Sequence, residues 1–442
     1  MKKFLLASLL VLLIPLNAFA TTKNVLISRA SGTISSGLDT YTTISGDANN
    51  TSVTEGNESI NVRSNGGVFD HLAIHVNANT FTVNAAVNFF KNGSIGSQSA
   101  VVTAGNTGTF VDATNTDTLS TGDNASYEIK VGADVGKSAT FNWISSTLAP
   151  TTNFTLYNAG SGQDTSSAQV EQALMSNQTA TSANIARVQN KFEVGGTLQK
   201  AMVTVTSNTV NANNTHRINK NGTNTAIVAT VTALGTGDFE DSSNTDSISA
   251  TDLITWETEN ISGSNAVSVM KIEFLSSDSA INQLVGSSVS IADGATKYLS
   301  LEGRGTQAGT EIDAAVPVYF TYSATKLEIQ VTTNATSGTS TFDLRVGSAS
   351  SALTVAITAA ATGYIMDSTH TVTGSSGDAL NYRIVNGGGG ALGGNNITYG
   401  MLMAETTASS SSVKTWDGLA IGSVKTINGL ATASVKTING LA

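Results

Sequence analysis

Along this chain apolar residues recur at alternate positions in short runs, separated by clusters of Gly, Asn, Ser and Thr. That is the pattern of half-buried β-strands joined by turns. The runs Val25–Ser28, Tyr41–Ile44, Ser59–Arg63 and Phe69–Val76 predict the first four strands. Thr80–Phe90 alternates less cleanly and ends at Lys91-Asn92-Gly93; Asn-Gly is a strong hairpin signal because both residues tolerate positive φ. Val101–Thr103, Ala125–Val131 and Thr140–Ile144 complete a unit that Ala149-Pro150 punctuates.

The plan then returns. Phe154–Tyr157, Ala201–Val205, Asn221-Gly222, Leu253–Trp256 behind Asp252, and Val267–Leu275 stand for the same elements. Ser167–Met175 alone reads as a short helix, but its place in the repeat favours a strand. The third round gives Lys297–Leu301, Val316–Tyr322, Lys326–Val331, Phe342–Gly347, Leu380–Val385 and Ile397–Ala404. The plainest mark of repetition is Thr107–Ser120, which reappears as Thr236–Ser249 and, more weakly, from Thr362. Its glycines at 108, 237 and 363 give steps of 129 (237 − 108) and 126 (363 − 237) residues. Such a period is one sandwich domain used three times, since solenoid repeats are shorter.

The expected fold is all-β: three tandem antiparallel β-sandwiches at 21–149, 150–277 and 278–405, like beads on a string. About eight strands per unit suit two sheets with jelly-roll connections. Pro317 at a strand start fits an edge position.

Both ends differ from this plan. Met1-Lys2-Lys3, an apolar run from Phe4 to Leu16 and Ala18-Phe19-Ala20 read as a secretory signal over 1–20. At 406–442 a Ser-rich linker precedes an 11-residue motif in three copies, Ser412–Ala420, Ser423–Ala431 and Ser434–Ala442. Each pairs a β-prone run with Asp-Gly or Asn-Gly. Three such units bury too little surface to stand alone. They predict a partner, with Trp416, Ile427 and Ile438 as its apolar anchors.

Composition narrows the function. The absence of Cys excludes a disulfide scaffold and a thiol nucleophile. Net charge is −10, or −12 (−10 − 2) once Lys2 and Lys3 leave with the signal, which argues against a nucleic-acid partner. No apolar stretch after the signal is long enough for a helical membrane span.

Candidate chemistry centres on the acidic repeat. Asp112, Asn115, Asp117 and Asp123 recur as Asp241, Asn244, Asp246 and Asp252. Oxygen-rich side chains of this kind are what Ca²⁺ takes, so Asp112, Asn115, Asp117, Asp241, Asn244 and Asp246 are the candidate ligands. The competing reading is turn chemistry, in which Asp and Asn bond their own backbone. The third copy keeps Asp367 and Asp378 but has His370 and Val372 at the other two places. No other cofactor is expected. His71 and His75 would make a metal pair on a helix, but on a strand their spacing puts them about 13 Å apart. Trp143, Trp256, Tyr127 and Tyr382 could stack on sugars, but Trp256 and Tyr382 occupy equivalent strand positions, near Tyr127, and repetition at one place favours core packing. Gly387–Gly390 lacks the Lys and helix of a phosphate cradle and reads as a long mobile hairpin.

Tandem sandwiches with Asn-Gly hairpins and Thr-Gly-x-Phe-x-Asp turns resemble the jelly-roll units of phage and bacterial surface fibres and structural proteins. The Val-Lys-Thr-x-Asn-Gly-Leu-Ala tail is similar to short repeats that end some phage and bacterial surface proteins. The resemblance implies an exported, non-enzymatic structural or adhesive protein, self-associating (a homotrimer is the expected state) and binding a cell-surface or glycan ligand through weak multivalent patches. The rivals are a carbohydrate-binding accessory protein and a secreted glycan hydrolase, which would need two carboxylates converging in one cleft.

Overall fold

The computed structural model describes residues 23–28, 32–35, 37, 39–46, 52–63, 66–152, 154–159, 163–164, 170–175, 179–259, 263, 265–278, 281–304 and 308–406, and the pairs 415–416, 419–420, 426–427 and 430–431. The proposed signal at 1–20 and Ile438 lie outside them.

The first sandwich comprises β1 (Asn24–Ser28), β2 (Gly32–Ser35), β3 (Thr40–Thr42), β4 (Ile60–Asn61), β5 (Gly67–Asn79), β6 (Ala85–Lys91), β7 (Ser94–Val102), β8 (Gly108–Leu119), β9 (Asn124–Val131) and β10 (Ser138–Pro150). The second comprises β11 (Thr155–Asn158), β12 (Gln163–Asp164), β13 (Val170–Gln172), β14 (Thr179–Thr181), β15 (Asn190–Lys191), β16 (Gly196–Asn208), β17 (Asn214–Lys220), β18 (Thr223–Val231), β19 (Gly237–Ile248), β20 (Leu253–Glu259) and β21 (Asn265–Ser276). The third comprises β22 (Ile281–Ile291), β23 (Thr296–Leu299), β24 (Gly303–Arg304), β25 (Val316–Val318), β26 (Tyr322–Val331), β27 (Ser340–Val346), β28 (Ala349–Ile357), β29 (Gly363–Gly374), β30 (Asp378–Val385) and β31 (Leu392–Glu405). 3-10 segments at Glu55–Asn57, Ser182–Arg187 (kinked at Asn184) and Glu311–Asp313 occupy like places.

Strand order makes each unit a jelly roll. The sheets of the first run β1-β10-β5-β8 and β3-β9-β6-β7, so its first strand lies beside its last. The second repeats this as β11-β21-β16-β19 and β13-β20-β17-β18, the third as β22-β31-β26-β29 and β23-β30-β27-β28. Val170–Gln172 is a strand, as its place in the repeat predicts. Tyr127, Trp256 and Tyr382, at equivalent places, are wholly buried.

The backbone repeats where the sequence does not. His71, Lys200 and Lys326 have φ of 52°, 57° and 53°. They follow the glycine steps, 129 (200 − 71) and 126 (326 − 200). Each sits at a register shift in the middle of β5, β16 or β26. A side chain at positive φ is costly in a strand, so its recurrence marks a designed bulge.

Three expectations differ from the structure. The repeated Thr-Gly-x-Phe-x-Asp stretch is no turn: Gly108–Leu119 forms one 12-residue strand at a sheet edge. A bulge hides its alternation, because Asp70 pairs with Thr116 whereas Leu72 pairs with Asp112. Nor are the sandwiches beads on a string: the described residues up to Glu405 form one compact unit, through junctions detailed below. The glycine-rich stretch is no hairpin, because it joins β30 to β31 in different sheets, and it is tied down. Ser337 N donates to Gly388 O at 2.8 Å, and Asn386 Nδ2 donates to Ala292 O and Gly390 O.

The tail, Thr406–Ala442, is a separate unit. Its described residues form two minimal hairpins, β32 (Thr415–Trp416) with β33 (Leu419–Ala420), and β34 (Thr426–Ile427) with β35 (Leu430–Ala431). Trp416 and Ile427 thus sit on paired strands opposite Leu419 and Leu430.

Candidate functional site

The acidic repeat ties sheet to sheet. Asp112 Oδ1 accepts from Thr114 N at 3.2 Å and Asn115 N at 3.1 Å, closing the bulge on itself. Its Oδ2 accepts from Asn115 Nδ2 at 2.9 Å and, across to β7, from Ser99 N at 2.8 Å. Asp241 repeats this with Ser243 N, Asn244 N, Asn244 Nδ2 and Val228 N. Asp367 does so with Thr369 N, His370 N and Thr354 N. His370 Nδ1 stands where the other copies have an Asn amide, 2.9 Å from Asp367 Oδ2. The histidine therefore replaces a donor by a donor.

Burial works against ionisation of Asp112, yet these hydrogen bonds outweigh it and hold its carboxyl down at about 2. Asp241 and Asp367 are lowered by the same balance. Asp117 accepts from Ser97 N at 2.7 Å and Gln98 N at 2.9 Å, while Asp246 takes Lys220 Nζ at 2.9 Å. β7 and β8 are both edge strands, and carboxylates on β8 satisfy the N–H groups that β7 would otherwise leave bare. The geometry is that of the turn-chemistry reading: a cation at Asp112 would have to displace N–H donors already seated on both oxygens. Among the described residues no group of three or more His, Cys, Asp or Glu side chains is placed to hold a metal ion.

A second set of Asn pins has the same period, and sequence reasoning missed it. Asn79 Nδ2 donates to Thr103 O and Asn106 O; Asn208 donates to Thr232 O and Gly235 O; Asn334 donates to Thr358 O and Ala361 O. The signal was present in the sequence, since 208 − 79 is 129 and 334 − 208 is 126.

Charged and aromatic side chains also meet where sandwiches join. From the first to the second, Arg63 pairs with Glu240 at 2.6 Å, and Arg63 N donates to Glu273 Oε1 at 2.9 Å. Glu273 also takes Lys271 Nζ at 2.6 Å, both side chains being fully buried. From the second to the third, Lys191 lies 3.8 Å from Glu328 and Lys326 3.7 Å from Glu193. Burial pushes the Glu328 carboxyl well up, and the Glu193 carboxylate adds to the shift. From the third back to the first, His75 Nε2 lies 3.4 Å from Asp313, and His71 stacks on Tyr319 with ring centroids 4.4 Å apart. Each junction takes a loop near a 3-10 turn onto the next sandwich's first sheet, so the three close in one cyclic sense. The leading strands close likewise: Asn24 Nδ2 donates to Phe154 O, Thr155 Oγ1 to Asn282 Oδ1, and Asn282 Nδ2 to Lys23 O. Close by, an atom added at Gly303 would come within 3.5 Å of Met175 O and 3.6 Å of Gly46 C, so all three copies meet there.

Trp143 is buried and stacks on His75 with centroids 5.7 Å apart, so it offers no open sheet face to a sugar. No helix among the described residues is long and apolar enough to cross a membrane.

No family model matches this chain, and no curated protein matches its sequence. Similar solved structures include a chain from work on the triple jelly roll fold and turret assembly in an archaeal virus, 10% identical over 87% of this chain and 89% of that one, with a TM-score of 0.20. A chain of Sulfolobus turreted icosahedral virus is 10% identical over 79% and 82%, with a TM-score of 0.17. The major capsid protein of bacteriophage PM2 is 9% identical over 58% and 99%, with a TM-score of 0.16. Scores this small carry no argument. The jelly-roll fold rests on the strand order above.

Proposed function

We propose that this chain is a non-enzymatic structural protein that is exported and assembles with copies of itself at a cell or particle surface. The observation that supports it most is the cyclic closure of three like sandwiches within one chain. Asp112, Asp241 and Asp367 serve the edge strands, and Glu240, Glu273, Glu193 and Glu328 serve the junctions. A body with three similar outward faces suits repetitive assembly, where weak contacts add through effective concentration.

The tail is the linking element in this reading. Its hairpins pair two residues per strand, far below what stands alone in water, so they gain order only against a partner surface. Light scattering on the mature chain with and without 406–442 tests this. The full-length protein is expected as an oligomer, a trimer being the expected state, and the truncated one as a monomer. An unchanged mass would remove the tail from the assembly.

A further inference from the structure

The three sandwiches present the same strands on the outer face of the second sheet, but not the same chemistry. In the second, Arg217 on β17 pairs with Glu257 on β20 at 2.6 Å; in the third, Asp343 on β27 pairs with Arg383 on β30 at 3.0 Å. The first has Asn88 and Glu128 at these places, one step of 129 (217 − 88 and 257 − 128) earlier. Asn88 Nδ2 donates to Glu128 Oε2 at 2.8 Å, so the carboxylate keeps its position without the arginine. A second acid is left in the same way. Arg345 pairs at 2.8 Å with Glu311, which opens the 3-10 segment of the third sandwich. Glu55 opens that of the first, and Phe90 holds the place of Arg345, two steps away (345 − 90 = 129 + 126). Glu55 accepts from Ser59 Oγ at 2.6 Å, and among the described residues neither it nor Glu128 has an ion-pair partner. Tyr41 on β3 registers the excess: burial pushes its hydroxyl pKa up, and Glu128, Asp39 and Glu55 push it further.

This face also carries larger apolar side chains than its counterparts. Phe90, Ile95 and Val101 stand where the second sandwich has Asn219, Asn224 and Thr230 and the third has Arg345, Ser350 and Ala356. Phe90 pairs with Ile95, and Ala86 with Val101, across β6 and β7. Directly opposite residues share a face, and Phe89, Ala100 and Val102 beside them turn into the core. Ile95 is 50% exposed and Val101 51%. Tyr41 extends the patch, edge-on to Phe90 with centroids 5.2 Å apart.

An acidic, apolar face fits a basic, apolar partner. Two such faces meeting would set Glu55 and Glu128 against their own copies. The tail has the complementary chemistry. Lys414, Lys425 and Lys436 each stand two residues before Trp416, Ile427 and Ile438, the spacing that puts charge and anchor on one side of an extended strand. Residues 406–442 carry these three lysines against Asp417, a net charge of +2 (3 − 1), in a chain of −10 overall. We propose that the outer face of the first sandwich receives the tail of a second copy. This rests on the reading of the tail as the linking element and gives it a receiving surface. The apolar anchor covers Ile95 and Val101, and its lysine sits by Glu55 and over the buried Glu128. The second and third sandwiches, whose acids are paired with arginines, lack the site. One tail and one such face per copy make a heterologous contact, which closes into a ring such as the expected trimer.

The test is calorimetric titration of a synthetic 412–442 peptide into the body 21–405, a compact unit apart from the tail. Binding is expected with Kd on the order of 0.1 mM, weakening as added salt shortens the range of the charges. Ile95→Asn/Val101→Thr installs the residues of the second sandwich at two half-exposed positions, so it should melt like the parent; it should weaken binding about tenfold or more. Glu55→Gln should weaken it about threefold. In the full-length protein the double variant should reduce the mass by light scattering to that of a monomer. The proposal is overturned if the peptide does not bind up to about 1 mM, if binding survives the double variant unchanged, or if the tail-less body self-associates through this face. Deleting 406–442 leaves the face intact and decides the tail's role separately. An oligomer that persists in Ile95→Asn/Val101→Thr but falls apart without the tail would keep the linking role and remove this surface.

Discussion

Lys271→Met should lower the unfolding free energy by about 3–5 kcal/mol, because it removes one member of a buried ion pair. The lysine ammonium is fully buried, 2.6 Å from Glu273 Oε1, and also donates to Lys200 O at 3.3 Å. Burial pushes its pKa down and the glutamate pulls it back, so the ammonium depends on its partner. The double variant Lys271→Met/Glu273→Leu should recover most of the loss, since replacing both members of a buried pair is often neutral. Guanidinium unfolding of the parent, single and double variants measures both. If the single variant were as stable as the parent, the pair would not be the desolvated junction described here.

Glu302→Met should act in the opposite sense and stabilise the protein by about 1–3 kcal/mol at neutral pH. Glu302 is 2% exposed, and neither carboxyl oxygen has a partner. Burial pushes its pKa well above 4.5. The folded acid keeps a proton that the unfolded chain has lost above that value. Stability must therefore fall as pH rises from about 4.5 toward the folded pKa, with a slope approaching 1.4 kcal/mol per pH unit for each such group. Glu58 and Glu328 are raised in the same direction, each mainly by burial, so the variant should reduce this slope without abolishing it. Asp112 has the reverse sign: its contribution is full above 3.8 and lost as pH falls through about 2. Thermal melts across pH decide the matter. Identical pH dependence in parent and variant would mean that Glu302 is ionised in the folded state.

Most of the architecture was legible because two simple signals agreed. Period-two alternation placed the strands, and the steps of 129 and 126 between Gly108, Gly237 and Gly363 showed that one plan was reused. The aromatic at 127, 256 and 382 was readable as core for the same reason. The acidic stretch was visible but misassigned to a turn: edge strands carry polar residues on one face, and a bulge at Asp112 breaks the alternation that remains. The junctions were not legible, since Arg63, Lys191 and Asp313 are ordinary charged residues until the third dimension brings a neighbour to them. A trace existed in Lys271 and Glu273, two charges on successive same-face positions of an otherwise apolar strand. In a chain only 12% charged, charges at such positions point to a second surface covering that face.

The cyclic closure is tested most directly by small-angle X-ray scattering on residues 21–405. A compact body of ~380 residues has a radius of gyration of about 21 Å, and that is the value expected. Three such sandwiches in a row on flexible links would give roughly 30 Å or more by the same scaling. A value in that upper range would mean that the third sandwich does not return to the first, and the ring would be wrong.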